Sequence, residues 1–234
     1  MTAVAASWWP LALSWLLMGV ELPMISAVVA RLPDPAIQLA AFGGVVFPLA
    51  LLVEAPVIMM LAASTSLCTN ETAYRVLRRF MTRLAASMTA LHILIAFTPM
   101  YDWCIVPLLD LPENVIEPSR LGLMIMTPWT WAIADRRFHQ GLLIRFGHRS
   151  AVAIGTGVRL CTTITVLLCG WLVLEAPGVV VASSALTIGT LCEAGYARLR
   201  SRSVIQGELR TAPIDTKIVR GRNLLRFYVP LALT

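Results

Sequence analysis

Residues 7–30 read SWWPLALSWLLMGVELPMISAVVA, and Glu21 is the only charged residue among them. A helix rises 1.5 Å per residue, so the ~30 Å hydrocarbon core of a bilayer takes about 20 apolar residues to cross. This stretch is long enough. It is too long for the apolar region of a cleavable signal, has no basic residue before it, and is followed by no clear small-residue cleavage site. It reads as a transmembrane helix that stays in the protein.

The rest of the chain agrees with its first span. The protein has 234 residues, 58% hydrophobic and 14% charged, with a mean hydropathy of +0.76. A soluble domain is about half apolar and about a quarter charged. Five more segments have the length and character of crossings: about 37–64, 84–103, 121–134 extended by some of the following residues, 151–174 and 178–197. A seventh begins at Leu224 and stops at Thr234. The expected fold is an all-α polytopic membrane bundle of six transmembrane helices plus the start of a seventh. The end of the chain, RFYVPLALT (226–234), repeats the pattern of SWWPLALSW (7–15), with aromatics before a Pro-Leu-Ala-Leu run.

The net charge of +6 is not laid out for nucleic acid. The basic residues fall in short connections, where they set orientation. Arg75, Arg78, Arg79 and Arg83 follow the second span; Arg136, Arg137, Arg145 and Arg149 follow the fourth; eight more, from Arg198 to Arg226 and including Lys217, follow the sixth. The other side holds only Arg31 and Arg120, a ratio of 16 to 2, beside the acids Asp34, Asp102, Asp110, Glu113, Glu117 and Glu175. This places the N-terminus and the residues after about 197 in the cytoplasm. Ala73, Leu77, Phe80 and Leu84 share a helix face with Arg75, Arg78 and Arg79 turned away. That connection is either an interfacial amphipathic helix beside anionic lipid or an ordinary basic loop. The stretch 107–118 is proline-rich and reads as an irregular outer loop.

Cys68, Cys104, Cys161, Cys169 and Cys192 form no CxxC pair and read as small apolar fillers. Asn70-Glu71-Thr72 matches a glycosylation sequon but falls on the cytoplasmic side. There is no HExxH, GxSxG or P-loop, and no Cys/His cluster, so no enzyme signature is present.

The informative residues are charges at membrane depth, because each needs a partner or a cavity. Glu21 lies two residues before the helix-bending Pro23. Glu54 lies between Pro48 and Pro56, downstream of Gly43 and Gly44, in a helix that is easy to bend. Glu21 is either a proton or cation site or a structural carboxyl hydrogen-bonded to a neighbouring helix; Glu54 is either a gate or site-lining residue or one near the inner end, wetted by the headgroups. Arg159 stands roughly 15 Å into its span and requires a counter-ion, for which Glu21, Glu54 and Glu193 are available. It serves either an internal ion pair or an anionic substrate. Glu193, between Gly189 and Gly195, is a cavity residue or an inner-interface residue. His92 reads as an interhelical hydrogen bond, and Gly155, Gly157 and Ala182–Ala185 as close helix packing.

Several stretches resemble the MATE-like exporters of the multidrug/oligosaccharidyl-lipid/polysaccharide superfamily. The family's Pro-Leu opening, Gly-Arg-Leu-Gly turn and Leu-Ala-Ala-x-Gly stretch correspond to Pro10-Leu11, Arg31-Leu32 and Leu39-Ala40-Ala41-Phe42-Gly43. Ala30 and Pro33 replace the two turn glycines. The sequence QGLLIRFGHR (140–149) is similar, with a one-residue shift, to the family's Gln-Gly-x-Leu-Arg-x-x-Gly. The family's first-helix Asp falls near Ile25 or Ser26, and Glu21 lies about one turn earlier. The resemblance implies about twelve helices in two six-helix halves related by an axis along the membrane normal. Residues 1–200 would be the N-terminal half, 201–223 a cytoplasmic linker and 224–234 the start of the second repeat. It further implies proton- or sodium-coupled antiport by alternating access, in a bacterial inner membrane, of a small-molecule substrate. A lipid-linked precursor or an anion such as pyrophosphate is the alternative cargo, and a non-transporting scaffold the alternative role. The partner would be a second six-helix half or a second copy of the chain. No cofactor is implied beyond the coupling H+ or Na+.

Overall fold

The computed structural model describes residues 2–174, 176–212 and 221–232. Glu175, Lys217, Arg220, the 213–220 part of the expected linker and the last two residues of the seventh segment lie outside the described residues. Eight helices are found among the described residues: α1 (Thr2–Val29), α2 (Pro35–Leu67), α3 (Glu71–Phe97), the short α4 (Tyr101–Ile105 running on into Val106–Leu109), α5 (Glu113–Arg145), α6 (Arg149–Leu174), α7 (Gly178–Thr211) and α8 (Gly221–Ala232). Four of them, α2, α3, α6 and α7, are long and apolar enough to cross a membrane, and α1 contributes the shorter apolar stretch Leu16–Val29.

The layering follows from burial. In their most apolar windows α3 and α6 are each 22% buried, whereas α7 is 67% buried. The first two therefore present apolar flanks outward, and α7 is an interior helix. The long α5 is the other interior helix, with 18 of its residues buried. It packs against α7, α3 and α2, while α6 packs on α7, and α1 on α6. This accounts for the polar content of α5, which is not among the four helices long and apolar enough to cross a membrane. A helix enclosed by protein is selected for its neighbours, not for lipid.

Three expectations about the connections change. Residues 107–118 are not an irregular loop: Val106–Leu109 is helical and α5 begins at Glu113, leaving Asp110–Pro112 as the turn. Asp110 takes the left-handed conformation (φ 47°), Pro112 is the N-cap of α5, where a missing N–H costs nothing, and Pro118 lies inside the helix, where it removes one backbone donor. Arg136 and Arg137 are not loop charges either. Both lie inside α5, and Arg136 is 2% exposed. Without them the basic side still leads by 14 to 2. Finally, the basic stretch after the second span is not a separate interfacial helix. It is the first half of α3, capped by Asn70, whose Oδ1 accepts the Ala73 N–H at 2.9 Å. Asn70 is buried by this role, which removes it as a glycosylation site. The third span stops at Phe97, before the 103 expected, because Pro99 forces Thr98 into an extended conformation (φ −114°, ψ 168°).

Helix α2 contains the irregularities expected of its prolines and glycines. Residues Ala40–Val46 form a π-helical stretch just before Pro48, and the helix is interrupted again at Met59, three residues after Pro56. The Pro56 carbonyl accepts a hydrogen bond from the Tyr228 hydroxyl of α8, whose ring packs edge-on against Phe80 at 4.9 Å. By contrast, α1 stays helical through Pro23.

Two glycines set the interior spacing. A Cβ on Gly141 of α5 would lie 1.8 Å from Ser64 Oγ and 2.5 Å from the Leu61 carbonyl oxygen of α2. A Cβ on Gly189 of α7 would lie 2.4 Å from Thr163 Oγ1 of α6. Gly141→Ala is therefore expected to destabilise the fold by about 1–3 kcal/mol, the usual effect of overpacking. Thermal unfolding in detergent should show a lowered midpoint. Adding Ser64→Ala should restore only part of it, since the Leu61 backbone oxygen remains in the way; full stability in the single variant would contradict this packing.

Candidate functional site

The polar centre of the bundle is assembled from five helices. Glu21 of α1, Glu54 of α2, Arg136 of α5, Arg159 of α6 and Glu193 of α7 are each buried to 6% exposure or less. Arg159 grips Glu21 with both branches of its fork: Nε donates to Glu21 Oε1 at 2.9 Å and Nη2 to Oε2. Thr163, one turn along α6, adds a hydroxyl to Oε1 at 3.1 Å. Planar two-point contact of this kind is what a guanidinium does and an ammonium cannot.

Glu193 receives the other side of the network. Its Oε2 accepts from Arg136 Nη1 at 2.6 Å and lies 3.7 Å from Arg159 Nη1. Its Oε1 accepts from Gln140 Nε2 at 2.9 Å and Thr156 Oγ1 at 3.5 Å. Gly189 stands one turn before Glu193 on α7, and its bare surface against Thr163 lets α7 come close enough to α6 for Glu193 to reach Arg159. Arg159 thus joins α1, α6 and α7, and Arg136 extends the chain of charges into α5.

Glu54 stands apart. It faces the fields of Arg136, Arg137 and Arg159, yet its Oε2 is buried with no hydrogen-bond partner. The Nε atoms of Arg136 and Arg137 are likewise buried and unpartnered. Three carboxylates and three guanidiniums therefore share one region of the interior, with two carboxylates fully engaged and the third left over.

The four residues singled out in the sequence as charges at depth all lie in this region. Glu21 and Glu193 are the counter-ions of Arg159, and Glu54 is not hydrogen-bonded to it. Glu193 is enclosed by the neighbouring helices (1% exposed). Pro48 and Pro56 sit on the helix that carries Glu54, on either side of it, and the Pro23 side chain is exposed. Sequence reasoning missed Arg136, Arg137 and Gln140. The available signal was the spacing of Arg136 and Gln140, one turn apart on one face, followed by Gly141.

Other polar contacts are structural. His92 of α3 donates from Nε2 to the Leu123 carbonyl at 3.0 Å and accepts from the Thr130 hydroxyl at Nδ1, 2.8 Å, both on α5. Towards the other end of α5, Arg198 Nη2 of α7 holds Asp135 Oδ1 at 2.8 Å, and His139 Nδ1 donates to the Asp135 carbonyl at 2.8 Å. Arg145 caps α2 through the Thr65 and Ser66 carbonyls at 2.8 and 3.2 Å. At the opposite end of the bundle a pocket of about 350 Å³ opens between Gln38, Glu117, Met124 and Val179. Arg120 closes that end by pairing with Asp102 at 3.1 Å and donating to the Ala96 carbonyl at 3.3 Å.

No model of a protein family matches the chain, and no curated protein matches it. Among solved structures the chain is similar to one described as the outward-facing conformation of a multidrug resistance MATE family transporter of the MOP superfamily. The two share 13% of their residues, with a TM-score of 0.70 over 96% of this chain and 50% of that one. The chain is a membrane helical protein with the fold of half a MATE transporter, and it spans about half of that transporter's length.

Removing Arg159 leaves Glu21 buried without its cation, while Glu193 keeps Arg136 and Gln140. Arg159→Met is expected to lose about 3–5 kcal/mol, as breaking one side of a buried pair does. The combination Arg159→Met with Glu21→Gln should recover a large part of that loss. Denaturation midpoints in mixed micelles measure both; equal stability of the single and double variants would show that Glu21 does not depend on Arg159.

Proposed function

We propose that this chain is one six-helix half of a secondary transporter that exports a small molecule by alternating access, driven by proton entry. The supporting observation is the buried network of Glu21, Glu54, Glu193, Arg136, Arg137 and Arg159 inside a half-MATE fold. In this reading α1, α2, α3, α5, α6 and α7 are the six crossings, with the arginine-rich end in the cytoplasm of a bacterial inner membrane. Residues 1–200 form the half, 201–223 the linker, and 224–234 the opening of a second repeat that packs on α2.

The proton is favoured over sodium by the donor set. Around Glu21 and Glu193 the carboxylate oxygens are already taken by guanidinium, amide and hydroxyl donors, and the guanidiniums of Arg159 and Arg136 repel a further cation there. Glu54 has the free oxygen. Ionised, it is drawn toward three guanidiniums; neutral, it is released from them. It rides on the helix with a π-helical stretch, two prolines and an interruption at Met59. Proton binding at Glu54 would shift the balance between a straight and a bent α2, and with it access to the centre.

A second reading follows from the unpartnered Nε atoms of Arg136 and Arg137. An anionic or lipid-linked cargo would complete them. The halves would meet as a linked repeat or as a dimer of this chain around an axis along the membrane normal.

The test is flux in liposomes, with the chain reconstituted alone and together with any second half. A fluorescent lipophilic cation and pyrophosphate serve as the two cargo probes, under imposed pH and sodium gradients. Proton-driven flux that Glu54→Gln uncouples supports the reading. Flux driven only by sodium, or unchanged coupling in Glu54→Gln, rejects the assignment of Glu54, and pyrophosphate flux in place of the cation selects the second cargo class.

A further inference from the structure

We propose that the arginine-lined groove at the start of α3 is a binding site for the phosphate of an anionic phospholipid. The groove, about 340 Å³ in volume, is lined by Tyr74, Arg75, Arg78, Arg79, Thr82 and Arg83. No acidic side chain lines it. Its floor is built: Arg78 Nη1 donates to the Tyr74 hydroxyl at 3.2 Å, its guanidinium carbon lies 5.9 Å from the centre of the Tyr74 ring, and that ring is itself buried against Phe138. Arg75 is held by Glu71 at 2.7 Å, one turn earlier. Arg79 and Arg83 make no hydrogen bond or ion pair among the described residues and present their full donor sets to the groove. A phosphate diester has the oxygens and the charge to accept from them.

The occupant is a lipid because of the residues beyond Arg83 on the same helix. The exposed side of α3 carries Arg75, Arg78, Arg79, Thr82 and Arg83, then changes at Ala86 to Ala90, Leu91, Leu94 and Phe97. From Arg83 to Phe97 is roughly 21 Å at 1.5 Å per residue, which is most of the ~30 Å hydrocarbon thickness. The helix is continuous through the two parts. A ligand filling the groove therefore meets cations at its head and an apolar strip, opened by Ala86 and Ala90, along its length. A free phosphate would use only the first of these. The site lies on the outer flank of α3, away from the buried charge network, and does not depend on the transport reading.

Binding of phosphatidylglycerol and phosphatidylcholine to the purified full chain in uncharged detergent, followed by native mass spectrometry, tests this. Saturable binding of phosphatidylglycerol over phosphatidylcholine is expected. Arg79→Gln with Arg83→Gln, which removes two cations without breaking any internal contact, should weaken it about 25-fold, about fivefold per arginine near a lipid surface. Arg200→Gln with Arg202→Gln, on the exposed side of α7, should leave it unchanged. The proposal is overturned if the Arg79/Arg83 variant binds as tightly as the parent, or if the α7 variant loses as much, which would mean general charge attraction. Equal binding of the two lipids also overturns it, as does displacement of phosphatidylglycerol by inorganic phosphate at the same concentration, which would make the groove a plain phosphate site.

Discussion

Arg159 is the residue on which the interior of this bundle depends. A guanidinium withdrawn from water costs several kcal/mol unless its charge and its N–H groups are met. Here they are met by Glu21 from α1 and Glu193 from α7, with Thr163 completing the Glu21 side. No single helix could supply these groups. The order of contacts in space, α1 on α6 and α6 on α7, is the order the ion network requires. Such a network adds little to stability compared with an apolar replacement, but it specifies a single arrangement, because any sliding of α1 or α7 strands a charge. The glycine at 189 belongs to the same constraint, since a side chain there would hold α7 off and lengthen the Arg159–Glu193 contact.

Against that fixed arrangement Glu54 is the component left unsettled. Its helix approaches α5 through Gly141 near its basic end, is tied to α8 through Pro56 and Tyr228, and is irregular at Ala40–Val46 and Met59. The rest of the charge network sits on helices that are regular where they carry it. The bundle thus joins a rigid charged frame of α1, α5, α6 and α7 to one bendable helix carrying an unpaired carboxyl. The proposed proton-driven switch needs both parts. A carboxyl on a rigid helix would only change its protonation, and a bendable helix without a charge would have nothing to sense.

Much of this was legible in the sequence. Glu21, Arg159, Glu193 and Glu54 are visible because an apolar chain makes each embedded charge conspicuous. Glycines and prolines announced the weak points of α2. Arg136 and Arg137 were hidden by the same rule that gave the orientation. In an arginine-rich membrane protein a pair of arginines after an apolar run reads as a loop, and the rule has no term for a helix packed mostly against protein. Helix α5 is such a helix. Its polar residues pair with α7 and α2 and so lower its hydropathy below that of a crossing. Only the pairing, which is a property of three dimensions, distinguishes them from loop charges. The extent of α3 was missed for a related reason: its cation-bearing and apolar halves look like two elements by composition, but one uninterrupted helix passes through both.

The likeness to half of a transporter adds a last constraint on the network itself. In a two-half arrangement about an axis along the membrane normal, a cavity lies between the halves and each half supplies one wall. The described contacts consume most of the polar atoms at the centre within this half: both oxygens of Glu21, both of Glu193 and the fork of Arg159 are engaged internally. Among the described residues, the buried charged groups with unpartnered atoms are Glu54, through Oε2, and Arg136 and Arg137, through Nε. The interior is therefore divided by saturation. Engaged charges hold the half together, and the unengaged ones are those the proposed transport reading would draw on.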